Sequence, residues 1–197
     1  AIGYAALSTQ DAGADAYNVA VGYYAGAIVS TGTGNTLVGG EAGDALTTGG
    51  QNTVLGYNAL STEDTGSRNV AIGTSALANL NYNGNGYNIA VGYNAGIYIT
   101  SGTVNTIVGA NAGDALTLGS YNTALGYAAL SSETEHGYNT AVGHQTLATL
   151  TAGDHAYNVA VGHQAGTSMT TGINNLTIGA EAGLLLTTGS YNVAVGH

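Results

Sequence analysis

Few side chains in this 197-residue chain could do chemistry, and the best placed are two histidines. His144 and His163 fall at the same position of consecutive repeats, so that strand spacing would stack their rings about 5 Å apart. A zinc site needs more than two neutral imidazoles, and no carboxylate accompanies this pair. We therefore interpret the two rings as part of a surface column and predict no metal site.

The carboxylates are also poorly arranged for chemistry. Asp44 and Asp114 lie at equivalent positions of an internal repeat, but Leu184 takes the third equivalent position. A calcium column would need an acid at each level, and the Gly-Gly-x-Gly-x-Asp pattern of calcium-binding repeats is missing. We interpret these acids, together with Glu41 and Glu181, as a solvated face. The sequence predicts no catalytic residue, no cofactor and no enzyme.

The charge balance narrows the choice of partners. Arg68 is the only basic side chain apart from the histidines, Lys is absent, and the formal net charge is -10. Nucleic-acid binding and docking on anionic membranes both need cationic side chains. No apolar run is long enough for a transmembrane helix. We predict no nucleic-acid partner and no insertion of this segment into a membrane.

These side chains are positioned by a strict internal repeat. The motif Asn-x-x-aliphatic-Gly recurs at 17-residue steps, except that every fourth step is two residues longer, so that a block of four repeats starting at Asn18 returns at Asn88 and Asn158. This predicts an all-β parallel β-solenoid, or β-roll, of about twelve coils. Stacked asparagines should form a hydrogen-bonded ladder. Counted as position 1 of each coil, they are Asn18, Asn35, Asn52, Asn69, Asn88, Asn105, Asn122, Asn139, Asn158, Asn175 and Asn192.

A strand is expected just after each asparagine, because positions 2 and 4 are mostly β-branched or aliphatic. We predict that they face the core, where position 4 provides Val21, Val38, Leu55, Ile72, Val91, Val108, Leu125, Val142, Val161, Ile178 and Val195. Position 3 is mostly Ala and lies on the opposite face, which we predict to meet a neighbouring chain; the alternative is a row of exposed Ala side chains. Each 17-residue coil has room for two strands of about five residues.

Tyrosines form two further columns, one at position 6 and one just before the asparagine. We interpret position 6 as a candidate contact surface, formed by Tyr23, Tyr57, Tyr93 and Tyr127. Tyrosine suits partly wet interfaces. These columns either seal the coil edge or a subunit interface, or they contact a receptor, a glycan or another filament.

The strings Asn-Val-Ala-Val-Gly at 18–22, Asn-Val-Ala-Ile-Gly at 69–73 and Asn-Thr-Ala-Val-Gly at 139–143, each followed by x-x-Ala, resemble the head repeats of YadA-like trimeric autotransporter adhesins. These strings are also similar to the Asn-Thr-Ala-Val-Gly-Tyr-x-Ala-Leu arrays of phage tail-fibre-like proteins. The resemblance implies a left-handed parallel β-roll, a trimer and display outside the cell or on a virion. The coils of this chain are longer than the coil of that family.

The sequence thus predicts a structural and adhesive extracellular fibre segment that associates with itself as a trimer or filament and contacts a host receptor or glycan. Residues 1–197 form one repetitive segment, and no capping unit stands at either end, so we expect a longer fibre. Alternatives are a phage tail-fibre shaft and a self-assembling filament or sheath subunit. An ice-binding solenoid would need regular Thr-x-Thr rows, and a polysaccharide-cleaving solenoid would need clustered Asp or basic residues, which are missing.

Overall fold

The computed structural model describes residues 1–13 and 15–197 of the chain. It contains one sheet of eleven three-residue strands that follow one another in chain order. The strands are β1 (Val19–Val21), β2 (Thr36–Val38), β3 (Thr53–Leu55), β4 (Val70–Ile72), β5 (Ile89–Val91), β6 (Thr106–Val108), β7 (Thr123–Leu125), β8 (Thr140–Val142), β9 (Val159–Val161), β10 (Leu176–Ile178) and β11 (Val193–Val195).

Every strand pairs in parallel with its neighbours in sequence, and equivalent positions of the repeat are always in register. Val19 pairs with Thr36 and Val21 pairs with Val38, one repeat apart. Ile2 forms an isolated parallel bridge to Val21, which extends the column to the first motif. This register confirms the predicted parallel β-solenoid. The prediction of two five-residue strands in each coil is wrong, because each coil has a single three-residue strand and closes through turns.

The core lies on the opposite strand face from the one predicted. Position 3 is buried in each strand from β1 to β10, and positions 2 and 4 are exposed or half-buried. The prediction that position 4 forms the core is therefore wrong, and its residues face outwards: Val21, Val38, Leu55, Ile72, Val91, Val108, Leu125, Val142, Val161, Ile178 and Val195. The predicted contact role of position 3 is wrong for the same reason.

The width of the coil explains this orientation. Opposite the strand, the interior is filled by large side chains at position 12, such as Leu46, Ile99 and Leu116, all with 0% exposure. In several coils a buried Leu at position 9 adds to this layer, as Leu77 does. Little space remains beside the strand, so position 3 is usually Ala. Close packing of the interior therefore selects the small side chain rather than the large one.

The four-coil block reflects how this interior is filled. In the first two coils position 9 is Gly, and a Cβ at Gly43 would press on the side chains of Leu37 and Leu46. In the last two coils position 9 is a buried Leu, as at Leu60 and Leu77, and position 3 is smaller than Leu. A large residue at one of positions 3 and 9 thus accompanies a small one at the other in the second coil (Leu37 and Gly43) and in the fourth (Ala71 and Leu77). The first coil of each block has small residues at both positions, so the side chains that fill the interior change over four coils.

The corners of each coil use left-handed backbone. Position 7 and the residue before the asparagine have positive φ even when they are not glycine, as at Asn94 (φ 55°) and Tyr87 (φ 51°). Val104 adopts φ 58°, which is rare for a β-branched residue. Such strain persists only where surrounding contacts impose it. Here, the ladders above and below hold each corner, since Val104 donates its backbone N–H to the Gly86 carbonyl at 2.8 Å.

Replacement of Gly109 by Ala should destabilise the solenoid by about 3 kcal/mol or more. Its φ of 136° is unfavourable for any side chain, and a Cβ there would collide with the Gly126 carbonyl oxygen of the next coil. Gly153→Ala is the matched control, because a Cβ at Gly153 meets no atom within 4 Å. Urea unfolding followed by circular dichroism measures the free energy of unfolding of both variants. Equal stability of the two variants would contradict the close stacking at position 5.

Candidate functional site

The outer sheet face, formed by positions 2 and 4 of the eleven strands, is a regular surface that continues from β1 to β11. Position 4 is Val, Ile or Leu in every strand, and position 2 is Val, Ile, Leu or Thr. Leu55 is 48% exposed and Leu125 is 45% exposed. The face carries no charged residue. At about 4.8 Å per coil, its length is about 48 Å. An uncharged surface of this length with an unbroken aliphatic column at position 4 is unusual on a monomer.

Tyrosine columns border the outer sheet face on both sides. At position 6, the predicted contact residues are all at least half exposed: Tyr23, Tyr57, Tyr93 and Tyr127. In the column before the asparagine, the Tyr121 and Tyr138 rings stack with centroids 4.9 Å apart, and Tyr157 continues the stack at another 4.9 Å. The tyrosines therefore widen the apolar face, and their contact role remains a prediction.

The position 6 column continues through the histidines. The His144 and His163 rings stack with centroids 5.2 Å apart and 11° between their planes, as the spacing predicted. Tyr127 stacks on His144 at 5.3 Å. Within residues 1–13 and 15–197, no group of three or more His, Cys, Asp or Glu side chains could hold a metal ion. The geometry is that of a continuous row of flat rings at the border of the sheet.

The asparagine ladder is confirmed. Each asparagine Oδ1 accepts a hydrogen bond from the backbone N–H of the next asparagine, at 2.7–3.2 Å. Asn105 is typical: its Nδ2 donates to Asn88 Oδ1 at 3.2 Å and to the Gly119 carbonyl at 2.9 Å. It is completely buried. The ladder thus satisfies backbone groups at the corner where each strand begins, and its role is structural.

Two buried carboxylates, Glu63 and Glu133, were missed by the sequence reasoning. Both have 0% exposure and occupy position 12, which is apolar in every other full coil. Glu63 Oε1 accepts from the Gly66 N–H at 2.7 Å, and its Oε2 accepts from the Tyr82 N–H at 3.0 Å. Burial raises the pKa of Glu63 above its usual range. An acid at an otherwise apolar repeat position was the available signal.

Glu133 repeats this arrangement one block later. Its Oε1 accepts from the Thr134 and His136 N–H groups at 3.0 and 3.2 Å, and its Oε2 accepts from the Ala152 N–H at 3.1 Å. Tyr82 and Ala152 belong to the 19-residue coils. Each glutamate therefore bridges a standard coil to the longer coil that follows, where it satisfies backbone donors displaced by the insertion. The role of these carboxylates is structural.

The surroundings of Asp44 and Asp114 disfavour the charged form of each carboxyl group. The Oδ1 atom of each is buried and has no hydrogen-bond partner within the described residues. Burial raises the pKa of both carboxyls above the usual range, and the nearby Glu41 charge raises that of Asp44 further. The prediction of a fully solvated acidic face is therefore wrong for these two carboxylates, because each is partly withdrawn from water.

No family model, curated protein or solved structure matches the chain. The described residues also include no helix that is long and apolar enough to span a membrane. Function must therefore be argued from the outer sheet face, its tyrosine borders and the remaining surface.

Replacing Asn105 by Ala should lower the free energy of unfolding by about 2–4 kcal/mol, because it leaves the buried Asn122 N–H and Gly119 carbonyl without their partners. Asn192→Ala is the control, since Asn192 is the exposed last rung. Asn192→Ala should lower the free energy of unfolding by less than about 1 kcal/mol. Urea unfolding compares the two, and a neutral Asn105→Ala would argue against a stabilising ladder.

Replacing Asp114 by Asn should raise the melting temperature at pH 7. A carboxyl whose folded pKa is raised stabilises the fold most below its unfolded pKa, and this contribution is lost as the pH rises through the folded value. The advantage of the variant should therefore disappear below about pH 4. The reverse change, Leu184→Asp at the third equivalent position, should lower the melting temperature at pH 7. Calorimetry at pH 3.5 and pH 7 tests both, and a variant advantage that grows at acid pH would contradict the assignment.

Proposed function

We propose that this chain is a structural and adhesive segment of an extracellular fibre, that it associates laterally with copies of itself, and that it catalyses no reaction. The observation that carries the proposal is the outer sheet face. Its aliphatic position 4 column is unbroken from Val21 to Val195, and charged residues are absent from it. A surface this apolar gains free energy when another surface excludes water from it.

The size of the face is appropriate for a stable interface. With the bordering tyrosines, the surface is about 15–20 Å wide and about 48 Å long, by the spacings along and between strands. That corresponds to on the order of 800 Å² on each partner, which is the area of a standard protein interface. Apolar centres with aromatic rims are characteristic of interface composition.

A second copy is the partner whose surface best fits. Another chain of this sequence has the same spacing between coils, so aliphatic side chains can interdigitate at every level. Positions 2 and 4 carry none of the formal charge of -10, so the centre of the face opposes association less than a charged interface would. Charge lies at the borders of the face, where Asp15 accepts a hydrogen bond from Tyr17 and Arg68 donates one to Tyr87. Resemblance to YadA-like heads and phage tail fibres favours three copies around one axis and exposure on a cell or virion. A filament or sheath built from the same contact is the alternative.

Replacing Leu125 by Asp should abolish association while leaving the solenoid folded. Leu125 lies on the outer sheet face and is 45% exposed, so the new carboxylate would be desolvated only in an assembly. Leu118→Asp is the matched control, because Leu118 is 50% exposed and lies outside the sheet. Sedimentation velocity gives the masses. We expect a monomer for Leu125→Asp and an oligomer for Leu118→Asp and the natural chain. A natural chain that sediments as a monomer at micromolar concentration would refute lateral association.

A further inference from the structure

A second surface lies away from the sheet and has different chemistry. An open groove of about 680 Å³ runs across four consecutive coils along positions 11 and 13, where the side chains flank the buried position 12. Asn79, Tyr98 and Thr117 are among its lining residues. The four coils extend over about 14 Å at the strand spacing. Within these four coils, position 11 is small at the two ends, at Thr62 and Ala115, so the groove is open on either side of the larger Asn79 and Tyr98.

The lining combines one exposed aromatic ring with amides and hydroxyls and includes no charge. Tyr98 is 56% exposed, so its ring is available as a flat platform. Asn79 uses its Nδ2 to hold the Ile97 carbonyl at 2.8 Å, and its Oδ1 is left as an acceptor. Thr117 Oγ1 donates to the Thr134 carbonyl at 2.9 Å, which fixes the hydroxyl and leaves its lone pairs to accept. The polar groups are therefore partly pre-organised.

We propose that this groove binds a short, neutral oligosaccharide. The C–H faces of a sugar ring can stack on an aromatic side chain, and its hydroxyls can pair with amides and threonines. An anionic ligand would meet no cation, because Arg68, the only basic side chain apart from the histidines, is not part of the lining. A purely apolar ligand would leave the Asn79 Oδ1 acceptor and the Asn81 amide without partners from the ligand. The volume lies within the usual range of ligand sites.

The groove differs from the repetitive surfaces because its aromatic residue is not repeated: Tyr98 is the one aromatic residue at position 11 in the sequence. One block later, Ser168 and Thr151 replace Tyr98 and Asn81, and one block earlier Ile28 replaces Tyr98. The aromatic platform is thus specific to the middle block. The proposal deepens the adhesive function proposed above, on which its biological use rests. Its physical basis is separate, because the groove and the outer sheet face share no residue.

Ligand-observed NMR and calorimetry with a panel of neutral tetrasaccharides (cello-, malto-, chito-, xylo- and manno-oligosaccharides) test the proposal. We expect at least one to bind with a dissociation constant of about 0.1–1 mM. Tyr98→Ser, the residue found one block later, should weaken that binding at least about tenfold, since stacking is lost. Asn81→Thr should weaken it less, because one hydrogen-bonding group remains.

Tyr93→Ser is the matched control, because Tyr93 is 58% exposed in the same coil but belongs to the tyrosine border of the outer sheet face. It should leave sugar binding unchanged. Absence of binding by every tetrasaccharide at 10 mM (about tenfold above the weakest expected constant), or equal binding by Tyr98→Ser and the natural chain, would overturn the proposal. Sedimentation of the same samples reports self-association separately, so failure of one proposal is distinguishable from failure of the other.

Discussion

In-register stacking of the coils is the constraint on which the rest of this structure depends. A separation of about 4.8 Å between strands leaves no room for a side chain at position 5, where a Cβ would collide with the carbonyl oxygen of the next coil. The same spacing allows each asparagine to bond the next one and brings His144 within stacking distance of His163. It also holds left-handed corners such as Val104, which would be unfavourable in an isolated chain.

The interior and exterior of the solenoid follow different periods. Inside, the side chains at positions 3, 9 and 12 change over a block of four coils. Glu63 and Glu133 join a standard coil to a longer one at the same point of each block. Outside, position 4 is aliphatic at every level. A surface that keeps one character while the core beneath it varies is consistent with a contact made along its whole length. This difference is the main structural support for lateral association.

Much of the fold could be predicted from the sequence, because Asn and Gly recur at one spacing and a repeat of this length requires stacked coils. Which face of the strand points into the core could not be predicted. Both faces are apolar, as Val19, Ala20 and Val21 illustrate, so alternation does not distinguish inside from outside. The larger residues suggested a core, whereas the packed layer at position 12 leaves space only for smaller ones. The groove at Tyr98 was also beyond prediction, since it depends on which side chains stack above and below it.

A cryo-electron microscopy cross-section of the native assembly would test the central claim most directly. The account predicts that the outer sheet faces of neighbouring solenoids, including Leu55 and Leu125, lie against one another at the contact, with the Tyr98 groove on the outside of the assembly. Three such contacts around one axis would give the trimeric arrangement, and repeated pairwise contacts would give a filament. Solenoids whose outer sheet faces point into solvent would contradict the account, whatever their number.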